Sequence, residues 1–269
     1  MDIEFNIQLN EDDKWIMEKH HYHDGIEILF CISDSGKVFL EDKVYPLNKG
    51  TLLSIKDTAL HRTIVPVDTK YRRYVLHFPL VTLQKISTKD SDLATIFSLS
   101  NYCIRLEQED YAYILQLLDS HNTISKDEFA SDIISSSIFM KIIVHIARII
   151  VGTKQVEYKN STDFNKIAPI LDYIQENLTE DLSLDRLSDV FFFSKHHLLR
   201  TFKNTTGFTI NDYIIQRRIL LSKKFLRDGF SVQEAGEMSG FMNYSHFIRT
   251  FGKLNGIPPG NYARKYRSR

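Results

Sequence analysis

Cysteine is scarce: Cys31 and Cys103 are the only two in 269 residues, and they form no Cys-x-x-Cys pair. That excludes a disulfide framework or a cysteine zinc site as the organising principle of the chain. Net charge is absent as well, since 34 Lys and Arg balance 34 Asp and Glu. The opening segment, MDIEFNIQLN, has neither the basic start nor the apolar centre of a signal peptide. There is no long unbroken apolar run. The most apolar stretch, Ile138 to Val151, is interrupted by Lys141, His145 and Arg148 and is too short to span a bilayer. No glycine-rich phosphate loop is present either. What remains reads as a cytoplasmic chain with no membrane partner, long enough to bury two separate cores.

The neutrality conceals a division. Residues 1–163 carry 18 Lys/Arg against 24 Asp/Glu, and residues 164–269 carry 16 against 10. The two parts stand at −6 and +6, and the basic part adds His196, His197 and His246. A basic C-terminal region behind an acidic N-terminal one suits a nucleic-acid reader fused to a second function.

The pattern of residues changes along with the charge. Short β-branched or aromatic runs at Ile26–Ser33, Lys37–Glu41, Val44–Leu47, Thr51–Ile55, Arg62–Val65 and Tyr71–Phe78 are predicted strands. Turn residues such as Gly25, Asp34-Ser35-Gly36 and Asn48-Lys49-Gly50 separate them, which suggests a sandwich or small barrel. Helical spacing follows over Gln108–Ser120 and Lys126–Gly152. The second helix is apolar on two stripes, because Phe139 and Ile143 lie off the line through Phe129, Ile133, Ile134, Ile138, Ile142, Ile146 and Ile149. Such a helix needs two partners, and a homodimer or a single large core could supply the second. The polar segment 153–163 is the expected linker, and helices are expected at about 164–178, 183–190, 195–204, 209–228, 232–239, 244–254 and 259–266. The fold class is therefore α+β: domain 1–152, with strands to about 80 and helices over about 81–152, then an all-α domain 164–269.

The strongest signal is an internal repeat. LLRTFKNTTG at Leu198–Gly207 is echoed by FIRTFGKLNG at Phe247–Gly256, and at a constant offset of 49 residues Tyr213 also pairs with Tyr262. Each copy follows a short amphipathic helix and a tight turn. Helix, turn, helix is a DNA-reading unit whose second helix enters the major groove by its N-terminal residues. Leu198 with Phe202, and Phe247 with Phe251, mark the buried face. Lys195, His196, Arg200 and Lys203, then Asn243, Tyr244, Ser245 and Arg249, face outward. Arg matches both the guanine O6/N7 edge and phosphate, and Ser194 and Asn243 occupy N-cap positions. The connecting helix of about twenty residues spans roughly 30 Å, close to the ~34 Å of one DNA turn, so one chain could read two successive major-groove segments of double-stranded promoter DNA.

Residues 182–266 resemble the C-terminal domain of the AraC/XylS family. The resemblance lies in the Leu-x-Arg-x-Phe-Lys-x-x-x-Gly run, the Tyr213-to-Arg218 spacing, the Gly240-Phe241 turn and the closing Gly-x-x-Pro-x-x-Tyr at Gly256–Tyr262. It implies a transcription regulator with DNA contacts from Lys195, His196, Leu199 and Arg200 in the first unit, to which the cap Ser194 and the outward Lys203 add. In the second they would come from Tyr244, Ser245, Ile248 and Arg249, with the cap Asn243 added, and RNA polymerase becomes a candidate partner. Three departures weaken the second unit: Gly252 in place of a basic residue, Ala263 in place of Arg, and Gly236 in place of a helix-packing Ala, costing up to ~1 kcal/mol.

The same family usually carries an N-terminal cupin barrel, and His21-Tyr22-His23, Glu27 and His61 resemble the cupin pattern. Three uses stay open for His21, His23, Glu27 and His61: lining for an unidentified small-molecule effector, structural hydrogen bonding, or a metal set. No resident cofactor or metal is expected. The contrasting function, a metal-dependent cupin enzyme with a helical appendage, rests on those four residues alone, without a second catalytic constellation, so the expectation is a non-enzyme.

Overall fold

The computed structural model describes residues 3–12, 25–34, 36–57, 59–66, 68–125, 127–152 and 162–266. The chain divides into two compact units that change over near residue 160.

In the N-terminal unit, seven strands precede the first helix: β1 Asn6–Asp12, β2 Ile26–Cys31, β3 Gly36–Leu40, β4 Lys43–Leu47, β5 Thr51–Ile55, β6 His61–Ile64 and β7 Tyr71–Phe78. Two short helices, α1 Leu80–Ile86 and α2 Leu93–Leu99, lead to β8 Tyr102–Arg105, and α3 Gln108–Asn122 and α4 Ser131–Gly152 close the unit. The strands form an antiparallel five-stranded sheet in the order β1-β7-β2-β5-β8 and a three-stranded sheet in the order β4-β3-β6.

Period-2 alternation gives the large sheet two working faces. Ile26, Ile28, Phe30, Leu52, Tyr74, Leu76 and Phe78 pack under the helices. Leu29, Cys31, Leu53, Ile55 and Tyr71 pack against Val38, Leu40 and Leu47 of the small sheet. The fully buried Phe139 of α4 anchors the helical side, stacked on Phe5 with ring centroids 4.3 Å apart and edge-on to Phe78 at 5.2 Å. Two side-chain bonds, His145 Nε2 to Asp110 at 2.8 Å and His121 Nε2 to Ser135 Oγ at 2.9 Å, tie α3 to α4. The Cys31 thiol lies between the sheets, and burial pushes its pKa up to about 12, which leaves it unreactive.

Three features differ from the expectations above. The strands do not end near residue 80, because β8 returns after two helices to pair with β5. Strand β1, outside the six runs expected to form strands, pairs with β7 over seven residues. Helix α4 begins at Ser131, not near residue 126, and Ala130 just before it has φ 63°. Its buried stripe is Phe139, Ile142, Ile143, Ile146, Ala147 and Ile150, so Phe139 and Ile143 belong to the main packing face. Ile133 and Ile134, expected on that face, are 63% and 46% exposed, and Phe129 precedes the helix in solvent. At 22 residues α4 is long and apolar enough to cross a membrane by length and composition alone. Six of its apolar side chains are spent instead on the core under the large sheet.

The C-terminal unit is all-α: α5 Thr162–Glu176, α6 Leu184–Phe191, α7 Lys195–Thr206, α8 Ile210–Arg227, α9 Val232–Met238, α10 Tyr244–Asn255 and α11 Pro259–Tyr266. Most of the expected linker, 153–161, lies outside the described residues, and α5 begins within its last two positions. Helix starts are capped by Ser183, Ser194, Thr209, Ser231 and Asn243, each accepting a hydrogen bond from the backbone N–H three residues on. At Ser231 the bond is reciprocated by Glu234, whose carboxylate accepts from the Ser231 N–H at 2.8 Å and is held below its ordinary pKa by the Ser231 hydroxyl and, next, by that N–H.

Candidate DNA-reading surface

The repeat in the sequence is a repeat in three dimensions. Helices α6 and α7 form one helix-turn-helix, and α9 and α10 form the other. In each, the reading helix ends at a left-handed glycine, Gly207 at φ 79° and Gly256 at φ 72°, whose N–H closes onto the carbonyl four residues back at 2.8 and 2.9 Å. Each packs the same aromatic pair edge-on: Phe202 on Tyr213 at 5.6 Å and Phe251 on Tyr262 at 5.5 Å. Helix α8 joins the units with 18 residues, about 27 Å of axial length.

With Leu198, Phe202, Phe247 and Phe251 buried, the opposite faces are fixed by helical geometry. Ser194, Lys195, His196, Leu199, Arg200 and Lys203 are all exposed in the first unit, and so are Asn243, Tyr244, Ser245 and Arg249 in the second. Ile248 is half-buried. Lys195 is not a bare charge, because its ammonium pairs with Asp185 on α6. The sequence did not signal that pairing.

Gly236 needs a corrected explanation. A Cβ there would come within 2.8 Å of the buried Phe247 ring, so the glycine makes room for the α10 core residue instead of merely lowering helix propensity. Gly236→Ala is expected to destabilise the protein by about 1–2 kcal/mol net, overpacking of about 2–3 kcal/mol outweighing a propensity gain of ~1 kcal/mol. A thermal melt with an unchanged or raised midpoint would contradict this. Gly252 faces open space, and Ala263 is buried, where it can present nothing to DNA.

In the N-terminal unit, His21 and His23 lie outside the described residues. Glu27 and His61 come together between the sheets: His61 Nε2 is 3.8 Å from Glu27 Oε2, both are buried, and His61 Nδ1 lies 3.0 Å from the Ala59 carbonyl. Arg73, a residue the sequence reading missed, is buried on the same face of the large sheet. Its guanidinium donates to Asp12 at 2.8 Å and lies 4.1 Å from the Tyr71 ring centroid. The alternation Tyr71, Arg73, Val75, His77 along β7 could have revealed it. Among the described residues no group of three His, Cys, Asp or Glu is arranged to hold a metal ion.

Two family models cover these two units. An AraC-like ligand binding domain matches residues 7–143, and a helix-turn-helix domain matches residues 187–265. The chain belongs to the AraC family. It is similar over 96% of its own length, and 94% of the relative's, to the HTH-type transcriptional activator RhaR of Mannheimia succiniciproducens at 23% identity. Over 105 residues it is 33% identical to the multiple antibiotic resistance protein MarA of Escherichia coli, covering 83% of MarA and 39% of this chain. Among solved structures, ToxT from Vibrio cholerae O395 aligns with 98% of this chain and 99% of its own at 14% identity, with a TM-score of 0.38. This AraC-family protein is a DNA-binding transcription regulator with an N-terminal ligand-binding domain. RhaR is a transcriptional activator, while AdaA of Bacillus subtilis, 35% identical over 96 residues, is a bifunctional transcriptional activator and DNA repair enzyme.

Proposed function

We propose that the chain is an effector-controlled, non-enzymatic regulator that reads two successive major-groove segments of promoter DNA with α7 and α10. The observation that carries this reading is the pair of matched helix-turn-helix units with polar and basic exposed faces. Arg200 and Arg249 contact base edges, Lys195, His196 and Lys203 add phosphate contacts, and the caps Ser194 and Asn243 place helix N-termini against the backbone. Leu199 meets thymine methyls, as does the exposed edge of Ile248. Tyr244 and Ser245 complete the second head. Binding to a selected duplex should weaken steeply as salt rises, because each phosphate contact displaces condensed cations. A flat salt dependence would contradict the reading.

The proposed effector site is the polar patch between the sheets of a cupin-like barrel, with Glu27 and His61 at its centre; His21 and His23 of the expected set lie outside the described residues. No metal or cofactor is assigned to it. Polar groups buried in a mostly apolar interior are suited to orienting a small polar ligand. In a thermal-shift screen of sugars, amino acids and other metabolites, a binder at a hundredfold its Kd should stabilise by about 2.7 kcal/mol. Glu27→Gln should remove most of that shift. A ligand whose shift survives Glu27→Gln binds elsewhere.

Apolar exposure on α4, at Ile133, Ile134, Val144 and Val151, supports a homodimer through this helix. Reading promoter DNA in a bacterial-type cell assigns the protein to the cytoplasm, with RNA polymerase as a further partner.

A further inference from the structure

The two helix-turn-helix units solve the same turn with different residues. Nine positions after the N-cap of the first helix the backbone is left-handed in both: Phe192 at φ 54° after Ser183, and Gly240 at φ 90° after Ser231. The residue that follows closes the turn identically, Phe193 N–H onto the Ser188 carbonyl at 3.2 Å and Phe241 N–H onto the Gly236 carbonyl at 3.0 Å. Glycine is the residue this backbone favours, and a bulky side chain in it is a true outlier. Phe192 receives no compensating burial, because it is 94% exposed. A bulky side chain that is both conformationally disfavoured and solvated on its apolar face points to a role outside the free protein.

We infer that Phe192 is a DNA-contacting residue of the first reading head, packing its ring on the apolar C–H surface of the duplex beside the α7 contact. This rests on α7 being a reading helix. Ser194, the α7 N-cap, lies two positions after Phe192, and two residues of chain reach at most about 7 Å. Any duplex that receives the α7 N-terminus therefore passes within side-chain reach of Phe192. The surface is continuous with that interface, since Lys195 and His196 follow directly in the chain and are exposed. A phenyl ring suits the thymine C5-methyl or a deoxyribose face, neither of which a lysine or arginine reads. The second turn is one residue longer, and the added Met242 is 93% exposed ahead of the Asn243 cap. Both heads thus present an apolar side chain just before the reading helix.

The test uses the full chain, a duplex selected from a random pool, and Phe192→Gly, Phe192→Asn, Phe192→Tyr and Arg200→Ala. Phe192→Gly is expected to raise the unfolding midpoint by about 2–4 °C while lowering affinity about 5–20-fold. Phe192→Asn, which keeps a residue tolerant of left-handed backbone but removes the ring, should lose affinity similarly, and Phe192→Tyr should retain it. Replacing the adjacent thymines by deoxyuridine separates the surfaces: a loss in wild type that is absent in Phe192→Gly identifies the methyl, and no loss identifies the sugar. Wild-type affinity in both Phe192→Gly and Phe192→Asn, with Arg200→Ala weakened, would overturn the proposal and leave the reading head standing. Unchanged affinity in Arg200→Ala would remove the reading head and the proposal together.

Discussion

Gly240→Ala is expected to unfold the second reading head. At φ 90° any Cβ is disfavoured, and here it would also lie 2.3 Å from the Leu178 carbonyl oxygen and 2.8 Å from Arg218 Nε. Those two atoms are bonded to one another at 2.8 Å, and Arg218 Nη2 also donates to the Glu180 carbonyl at 3.1 Å. One methyl group therefore opposes both the turn backbone and the arginine clamp that ties the segment following α5 to α8. Left-handed strain costs about 1–2 kcal/mol, and a lost bond to a charged donor costs about 1.5–3 kcal/mol. Their sum, about 2.5–5 kcal/mol, should lower the melting midpoint of the C-terminal unit by about 10 °C or more. Arg218→Ala should reproduce part of the loss, which makes that arginine a structural residue and not a DNA contact. A midpoint within 2 °C of wild type for Gly240→Ala would contradict the clamp.

Arg200→Ala is expected to have the largest effect on DNA binding with no effect on folding. Its side chain is exposed on the α7 face opposite Leu198 and Phe202, so truncation should change stability by no more than about 0.5 kcal/mol. A bidentate contact to guanine is worth about 1–3 kcal/mol, equivalent to about 5- to 150-fold in affinity. Arg249→Ala should cost less. Arg200 is flanked by Lys195 and Lys203, whereas the corresponding neighbours of Arg249 are Tyr244 and Gly252. Lys195→Ala should cost less than Arg200→Ala too, because Lys195 must exchange its Asp185 partner for a phosphate. Fluorescence anisotropy at fixed salt measures all three. A greater loss from Arg249→Ala than from Arg200→Ala would reverse the proposed asymmetry of the heads.

The DNA-reading unit was far more legible in the sequence than the N-terminal one, for physical reasons. Its helices announce themselves through Ser, Thr and Asn caps, amphipathic spacing and terminal glycines, all of which are local. The repeat then doubles each signal, and the reading helices start within a residue of where the caps place them. The N-terminal unit depends on pairing between distant segments. Strand β1, with the sequence NIQLNED, carries few β-branched or aromatic residues and sits at the sheet edge beside β7 alone. Strand β8 has only four residues. On α4, periodicity showed two apolar stripes but could not say which one meets the sheet. That depended on Phe139 finding Phe5 and Phe78. Gly236, Lys195 and Phe192 were hidden for a similar reason, since each takes its meaning from a neighbour or from a backbone angle that composition does not carry.

Selection of bound duplexes from a random pool by wild type, Arg200→Ala and Arg249→Ala tests the central claim most directly. The expected result is two blocks of preferred bases about one helical turn apart. Arg200→Ala should relax preference in one block only, and Arg249→Ala in the other only. A single block, or the same positions relaxed by both substitutions, would contradict the claim that one chain reads DNA with two separate heads.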